Sequence, residues 1–119
     1  MVQIEETIYA LATPPGRSAI AVIRISGAFA LSVPRLFGLP AAAGRAMRYA
    51  VLRDRQAQPL DEVLLLSFTG PYSATGEDVL EIHCHGSPAV LAAITGILAE
   101  CDQLRAAEPG EFSRRTLLN

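Results

Sequence analysis

The seven residues Val79-Leu80-Glu81-Ile82-His83-Cys84-His85 restrict the fold more than any other part of this chain. In a strand, alternate side chains leave on opposite faces. Leu80, Ile82 and Cys84 therefore face one way, and Glu81, His83 and His85 face the other, behind Val79. The first row is a core surface. The second sets a carboxylate and two imidazoles in line, which packing alone does not ask for. Before the strand lies Thr75-Gly76-Glu77-Asp78, a loop of turn formers. After it comes Gly86-Ser87-Pro88, with Ser87 placed to cap a helix and Pro88 to begin it. The functional site is expected on this strand.

A second alternating run, Ala19 to Ser26, is its natural companion. Ala19, Ala21, Ile23 and Ile25 share one side, and Ile20, Val22, Arg24 and Ser26 the other. Arg24 thus projects from an otherwise apolar face, where an unpaired guanidinium costs several kcal/mol. Its anion is either a protein carboxylate, with Glu81 the foremost candidate, or a bound ligand. Just upstream, Thr13-Pro14-Pro15-Gly16-Arg17-Ser18 is a stiff break. It is either a plain rigid turn or a loop that holds Arg17 beside a ligand.

The remaining periodicities complete an α+β pattern. Thr7 to Ala12 is a first strand, and Ala28 to Phe37 a helix that Pro34 kinks or delays. Arg45 to Arg53 alternates with Met47, Tyr49 and Val51 on one face, and the polar turn Asp54 to Pro59 implies an antiparallel partner. That partner, Leu60 to Phe68, is apolar on both faces and suits a central strand covered on two sides. From Pro88 to Cys101 an apolar stripe (Val90, Leu91, Ile94, Ile97, Leu98, Cys101) recurs at helical spacing. Its back face, of Ala92, Ala93, Thr95, Gly96 and Ala99, is small and uncharged, and is expected to meet another layer or a second subunit. A last strand, Gln103 to Ala107, leads to a final helix, Glu111 to Leu118. The expected architecture is one domain over residues 1–119: a mixed sheet of about five or six strands with helices packed mainly on one face.

Composition excludes several functions. All ten basic residues are arginine, so no Walker A loop, which ends in Lys-Ser/Thr, is present. A net charge of −2 gives no overall basic surplus for nucleic acid, although a local arginine patch would still suffice to touch RNA. No apolar run is long enough to span a bilayer and no signal peptide precedes the first strand, so a cytoplasmic protein without membrane contact is expected. Cys84 and Cys101 then read as reduced packing residues in the core.

Four stretches, in this order and spacing, resemble the N-terminal domain of the MnmE/TrmE family of tRNA-modification GTPases. They are Ala12-Thr13-Pro14-Pro15-Gly16-Arg17, Ile20-Ala21-Val22-Ile23-Arg24-Ile25-Ser26-Gly27, Thr75 to Gly86, and Glu108-Pro109-Gly110-Glu111-Phe112-Ser113-Arg114-Arg115. The resemblance implies a fold similar to the folate-binding part of the glycine-cleavage T protein. It implies a bound tetrahydrofolate one-carbon derivative (5-formyl- or methylene-tetrahydrofolate) and homodimerisation through this domain. It also implies a longer protein with a GTPase module that uses GTP, Mg and K. That protein acts with the flavoprotein MnmG to install an aminomethyl-type group on the wobble uridine of tRNA.

The family's folate contacts fall on Arg24 and Glu81, with Arg17, His83 and His85 as weaker candidates. A pterin offers a ring N–H beside an exocyclic amine, which a carboxylate accepts bidentately. Arg24 would then either bind folate oxygens or hold Glu81 ionised. Ala74 stands where the family has an aromatic, with Tyr72 near enough to compensate, and Ser87 stands where it has glycine. A further family contact, a lysine, would follow Asn119. Two other readings remain: a metal held by Glu81-x-His83-x-His85, and a dimerisation scaffold without ligand.

Overall fold

The alternating runs become six strands of one sheet in the computed structural model, which describes residues 6–12, 19–71 and 73–118. In chain order they are β1 (Thr7–Leu11), β2 (Ile20–Ser26), β3 (Ala46–Arg53), β4 (Pro59–Phe68), β5 (Val79–His85) and β6 (Leu104–Ala106). Across the sheet the order is β3-β4-β5-β2-β1-β6. Every neighbouring pair is antiparallel except β1–β6, so the sheet is mixed, as the sequence implies. Two α-helices, α1 (Pro88–Ala99) and α2 (Glu111–Leu118), and a 3₁₀ segment, Ala30–Phe37, complete the α+β fold.

The core lies on one side of the sheet. Ala21, Ile23 and Ile25 of β2, Val63 and Leu65 of β4, and Leu80, Ile82 and Cys84 of β5 pack there with Val33 and Phe37 of the 3₁₀ segment and Ile94 and Leu98 of α1. Ser87 caps α1 by accepting from the Val90 N–H at 3.1 Å, and Pro88 begins the helix. Val90, Leu91, Ile97 and Cys101 pack against the core while remaining partly exposed. Cys101 is therefore half-buried rather than a core residue, and its thiol donates to Gln103 Oε1 at 3.2 Å.

Two expectations change. The segment over Ala28 to Phe37 is a 3₁₀ helix that starts late, at Ala30, and ends at Gly38 with φ +79°. Pro34 lies inside it and supplies no N–H. β4 is not covered on both sides: Val63, Leu65 and Ser67 are buried, whereas Leu64 and Leu66 are half-buried on the opposite, open face. Met47 and Tyr49 of β3 share that open face and are 68% and 84% exposed. The helical segments pack mainly on one face, as expected, and α2 is the exception. Arg105 of β6 pairs with Ile8, which pairs with Ser26, so Arg105 emerges on the open face, and there it binds Glu111 of α2. Among the described residues the open face is thus capped by α2 at one end and carries no helix over the rest.

Gly27 makes the turn out of β2 possible. Its φ is +138°, and a Cβ there would lie 2.6 Å from Thr7 Cα.

Candidate functional site

The register fixes which open-face side chains meet. β2 and β5 run antiparallel with Arg24 opposite Glu81 and Val22 opposite His83. β5 and β4 continue the rows, with Glu81 opposite Leu66 and His83 opposite Leu64. Arg24 and Glu81 in one row and His83 in the next therefore stand among apolar neighbours.

Arg24 takes the protein carboxylate. Its Nε donates to Glu81 Oε2 at 2.9 Å, and its Nη2 lies 2.7 Å from the same oxygen. His83 Nε2 is 3.0 Å from the other oxygen, Oε1. Glu81 is 15% exposed, and this burial opposes its ionisation, but the hydrogen bonds from His83 and Arg24 and their charges outweigh it. The carboxyl is held below the usual carboxylate range and is ionised at neutral pH. A carboxylate offers about four acceptor positions. Three are engaged, so one remains on Oε1 for a ligand N–H, and accepting two requires His83 to swing away.

Beside His83 the open face hollows into a shallow cavity of about 330 Å³ lined by Ile20, Tyr49, Glu62, Leu64, His83 and His85, among others. It is of the size that organic ligands occupy, near the lower end. Ile20 and Leu64 supply apolar surface, Tyr49 an aromatic ring, and Glu62 and the two histidines polar edges. Arg24 and Glu81 do not line it; they adjoin it through His83.

His85 points elsewhere. Its Nδ1 is 2.6 Å from Asp61 Oδ1, and its backbone N–H donates to Asp61 Oδ2 at 2.8 Å. The row Glu81, His83, His85 thus divides into two pairs rather than converging on a point. Among the described residues no three His, Cys, Asp or Glu side chains are placed to hold a metal ion. Cys84, below the hollow, has its thiol pushed up to about 11, first by burial and then by the Asp61 charge, so it stays protonated and unreactive. Arg17 and Tyr72 lie outside the described residues.

A second polar cluster closes the end of this face. Ser26 Oγ lies 2.7 Å from Thr75 Oγ1 and donates to Glu77 Oε1 at 2.9 Å. Arg115 of α2, 1% exposed, donates to the same Glu77 oxygen at 3.0 Å and to Glu111 Oε2 at 3.1 Å. Arg105 grips Glu111 with both Nη atoms, at 2.8 and 2.6 Å. Ser73 Oγ donates to the Glu77 carbonyl, and the Gly27 N–H donates to the Asp78 carbonyl at 2.9 Å. The Thr75 to Asp78 loop is thereby tied to β2 and α2 at once. Sequence reasoning missed Asp61, Glu77, Glu111 and Arg115; the one available signal was that Glu111 and Arg115 stand four apart on α2.

This cluster sets an acid limit. The fork from Arg105, with help from the Glu108 N–H and the Arg115 charge, outweighs burial and holds the Glu111 carboxyl at about 2, against an ordinary 4.5. The folded value is the lower one, so its contribution is whole above about pH 4.5 and is lost as pH falls toward 2. Urea unfolding across that window is expected to show wild-type stability falling, with a flatter profile for Glu111→Gln. Parallel profiles would contradict the assignment.

Residues 7–119 match the family described as "GTP-binding protein TrmE N-terminus". The chain belongs to the TrmE N-terminal family. Proteins named tRNA modification GTPase MnmE share this TrmE domain at high identity. The protein from Paramagnetospirillum magneticum is 50% identical over 117 residues, 98% of this chain and 26% of that protein. Those from Dinoroseobacter shibae and Bradyrhizobium sp. are 47% and 45% identical, over 96% and 97% of this chain and 27% and 26% of their own lengths. The TrmE domain described here thus spans about a quarter of the length of the curated relatives it matches. Among the described residues, no helix is long and apolar enough to cross a membrane.

Proposed function

We propose that this domain binds a reduced folate, a tetrahydrofolate one-carbon derivative, on the open face of its sheet. In this reading it serves as the folate-binding and dimerising N-terminal part of a cytoplasmic tRNA-modification GTPase. The observation that carries the reading is the ionised Glu81, fixed by Arg24 and His83 at the border of a ligand-sized hollow. Glu81 keeps an acceptor position for a pterin N–H, and Arg24 serves it by holding the carboxylate charged and in place. The adjoining hollow, with its apolar floor and the Tyr49 ring, suits the flat remainder of such a ligand. The relatives' name, tRNA modification GTPase, supports the wider role. There GTP, Mg and K, MnmG and the tRNA belong to the whole protein, and GTP hydrolysis to a separate module.

Self-association is supported by the same face. Ile20, Met47 and Tyr49 are 58%, 68% and 84% exposed, and such exposure of large apolar side chains on one sheet face favours a covering partner. A second copy of the chain is the partner proposed.

Thermal unfolding tests the folate reading. A ligand at a hundredfold excess over its Kd adds about 2.7 kcal/mol of stability. For a domain of this size that raises Tm by on the order of 10 °C. Reduced folate is expected to produce such a shift; a melting curve that does not move at millimolar folate would leave the scaffold role without a ligand.

A further inference from the structure

Among the described residues the arginines fall into two populations. On the site face and at its capped end each has a carboxylate: Arg24 has Glu81, Arg105 has Glu6 and Glu111, Arg114 has Glu111, and Arg115 has Glu77 and Glu111. The border formed by the edge strand β3, its turn and the 3₁₀ segment differs. Residues 35–58 hold five arginines and one acid, Asp54, while the rest of the chain holds five arginines against eleven acids. Asp54 is spent on its own turn, accepting from the Gln56 and Gln58 N–H groups at 2.9 Å. Arg48 and Arg53 bind only neutral carbonyls, of Pro40 and Ala57. Among the described residues, Arg35, Arg45, Arg48 and Arg53 form no ion pair, and Arg55 alone has one, an exposed pair with Glu100 at 2.8 Å.

We propose that this border is a docking surface for the phosphate backbone of RNA. A strand advances about 3.3 Å per residue, so Arg45 to Arg53 extends for roughly 26 Å, the reach of several phosphates. Guanidinium groups held by carbonyls keep their full charge and spare N–H donors for phosphate oxygens. Charges on an edge strand also discourage edge-to-edge pairing, but that purpose is met by one or two charges of either sign. It does not account for five arginines against one acid over residues 35–58 in a chain that is acidic elsewhere. The choice of RNA over other polyanions rests on the tRNA role proposed above; the patch itself does not depend on folate.

The test is fluorescence anisotropy of an unmodified tRNA transcript titrated with the chain at several salt concentrations. Affinity is expected in the range of about 10⁻⁴ to 10⁻⁶ M. Arg35→Gln/Arg45→Gln is expected to weaken binding about tenfold and to flatten the salt slope by roughly 1.5, at about 0.7–0.9 per lost phosphate contact. Arg114→Gln, on the far helix, is expected to change it less than about twofold. Arg45→Gln alone gives about half the slope change should the double variant melt early. An unchanged slope, an equal loss in Arg114→Gln, or displacement of the tRNA by poly-glutamate at equal charge would each overturn the proposal. A folate melting shift preserved in Arg35→Gln/Arg45→Gln separates this surface from the folate site.

Discussion

Glu81→Ala is expected to remove most reduced-folate binding while leaving the domain folded. The side chain accepts from Arg24 through one oxygen and pairs with His83 through the other. Its loss takes away both the acceptor for the pterin and the anchor for two neighbouring groups. Losing a charge-assisted hydrogen bond to the ligand, together with the order it imposes on Arg24 and His83, costs about 1.5–3 kcal/mol of binding, on the order of 10 to 10² in affinity. The effect on stability is smaller, because Arg24 is 35% exposed and its guanidinium rehydrates. Calorimetric titration of both proteins checks this. His83→Ala is a useful companion, because it frees Oε1 and so is expected to weaken binding far less than Glu81→Ala. Equal affinity in wild type and Glu81→Ala would reject the site.

Arg115→Ala is expected to be the most destabilising single change, by about 3–5 kcal/mol. Arg115 is 1% exposed and joins Glu77 of the β4–β5 loop to Glu111 of α2. Removing it leaves both carboxylates facing each other's charge without that guanidinium. Glu111 keeps the Arg105 fork, but Glu77 retains only the Ser26 hydroxyl among its side-chain partners. Arg115→Lys keeps the charge but cannot reach two carboxylates with a planar fork, so it restores only part of the loss. Urea unfolding measures the difference; a change below about 1 kcal/mol would show that the cluster adds little.

Much of the scaffold was legible because a two-residue period is hard to mistake. β2 and β5 each carry an unbroken apolar row, and the polar residues between them fall on one face whatever the register. The Arg24–Glu81 pair was half legible: a lone guanidinium on an apolar face demands an anion and Glu81 was the foremost candidate, but the pattern fitted a bound ligand equally well. What periodicity does not encode is which distant loop or helix turns back onto the sheet. Asp61 stands at the start of an apolar strand and looks like an ordinary turn acid, yet it holds His85 from 24 residues away. Glu77 and Arg115 are 38 residues apart, and only the folding of α2 onto the open face joins them. That Leu64 and Leu66 are only half-buried was hidden too, because an apolar residue reads alike under a second layer and on a face awaiting a partner.

Where a reduced folate sits decides whether the open face of the sheet is a binding site. Titrating ¹⁵N-labelled chain with 5-formyltetrahydrofolate and following the amide signals addresses that directly. The shifts are expected to concentrate on Ile20 to Ser26, on Tyr49, on Glu62 to Leu66 and on Val79 to His85. Shifts confined to α1 or the 3₁₀ segment, on the other side of the sheet, or no shifts at saturating ligand, would contradict that site.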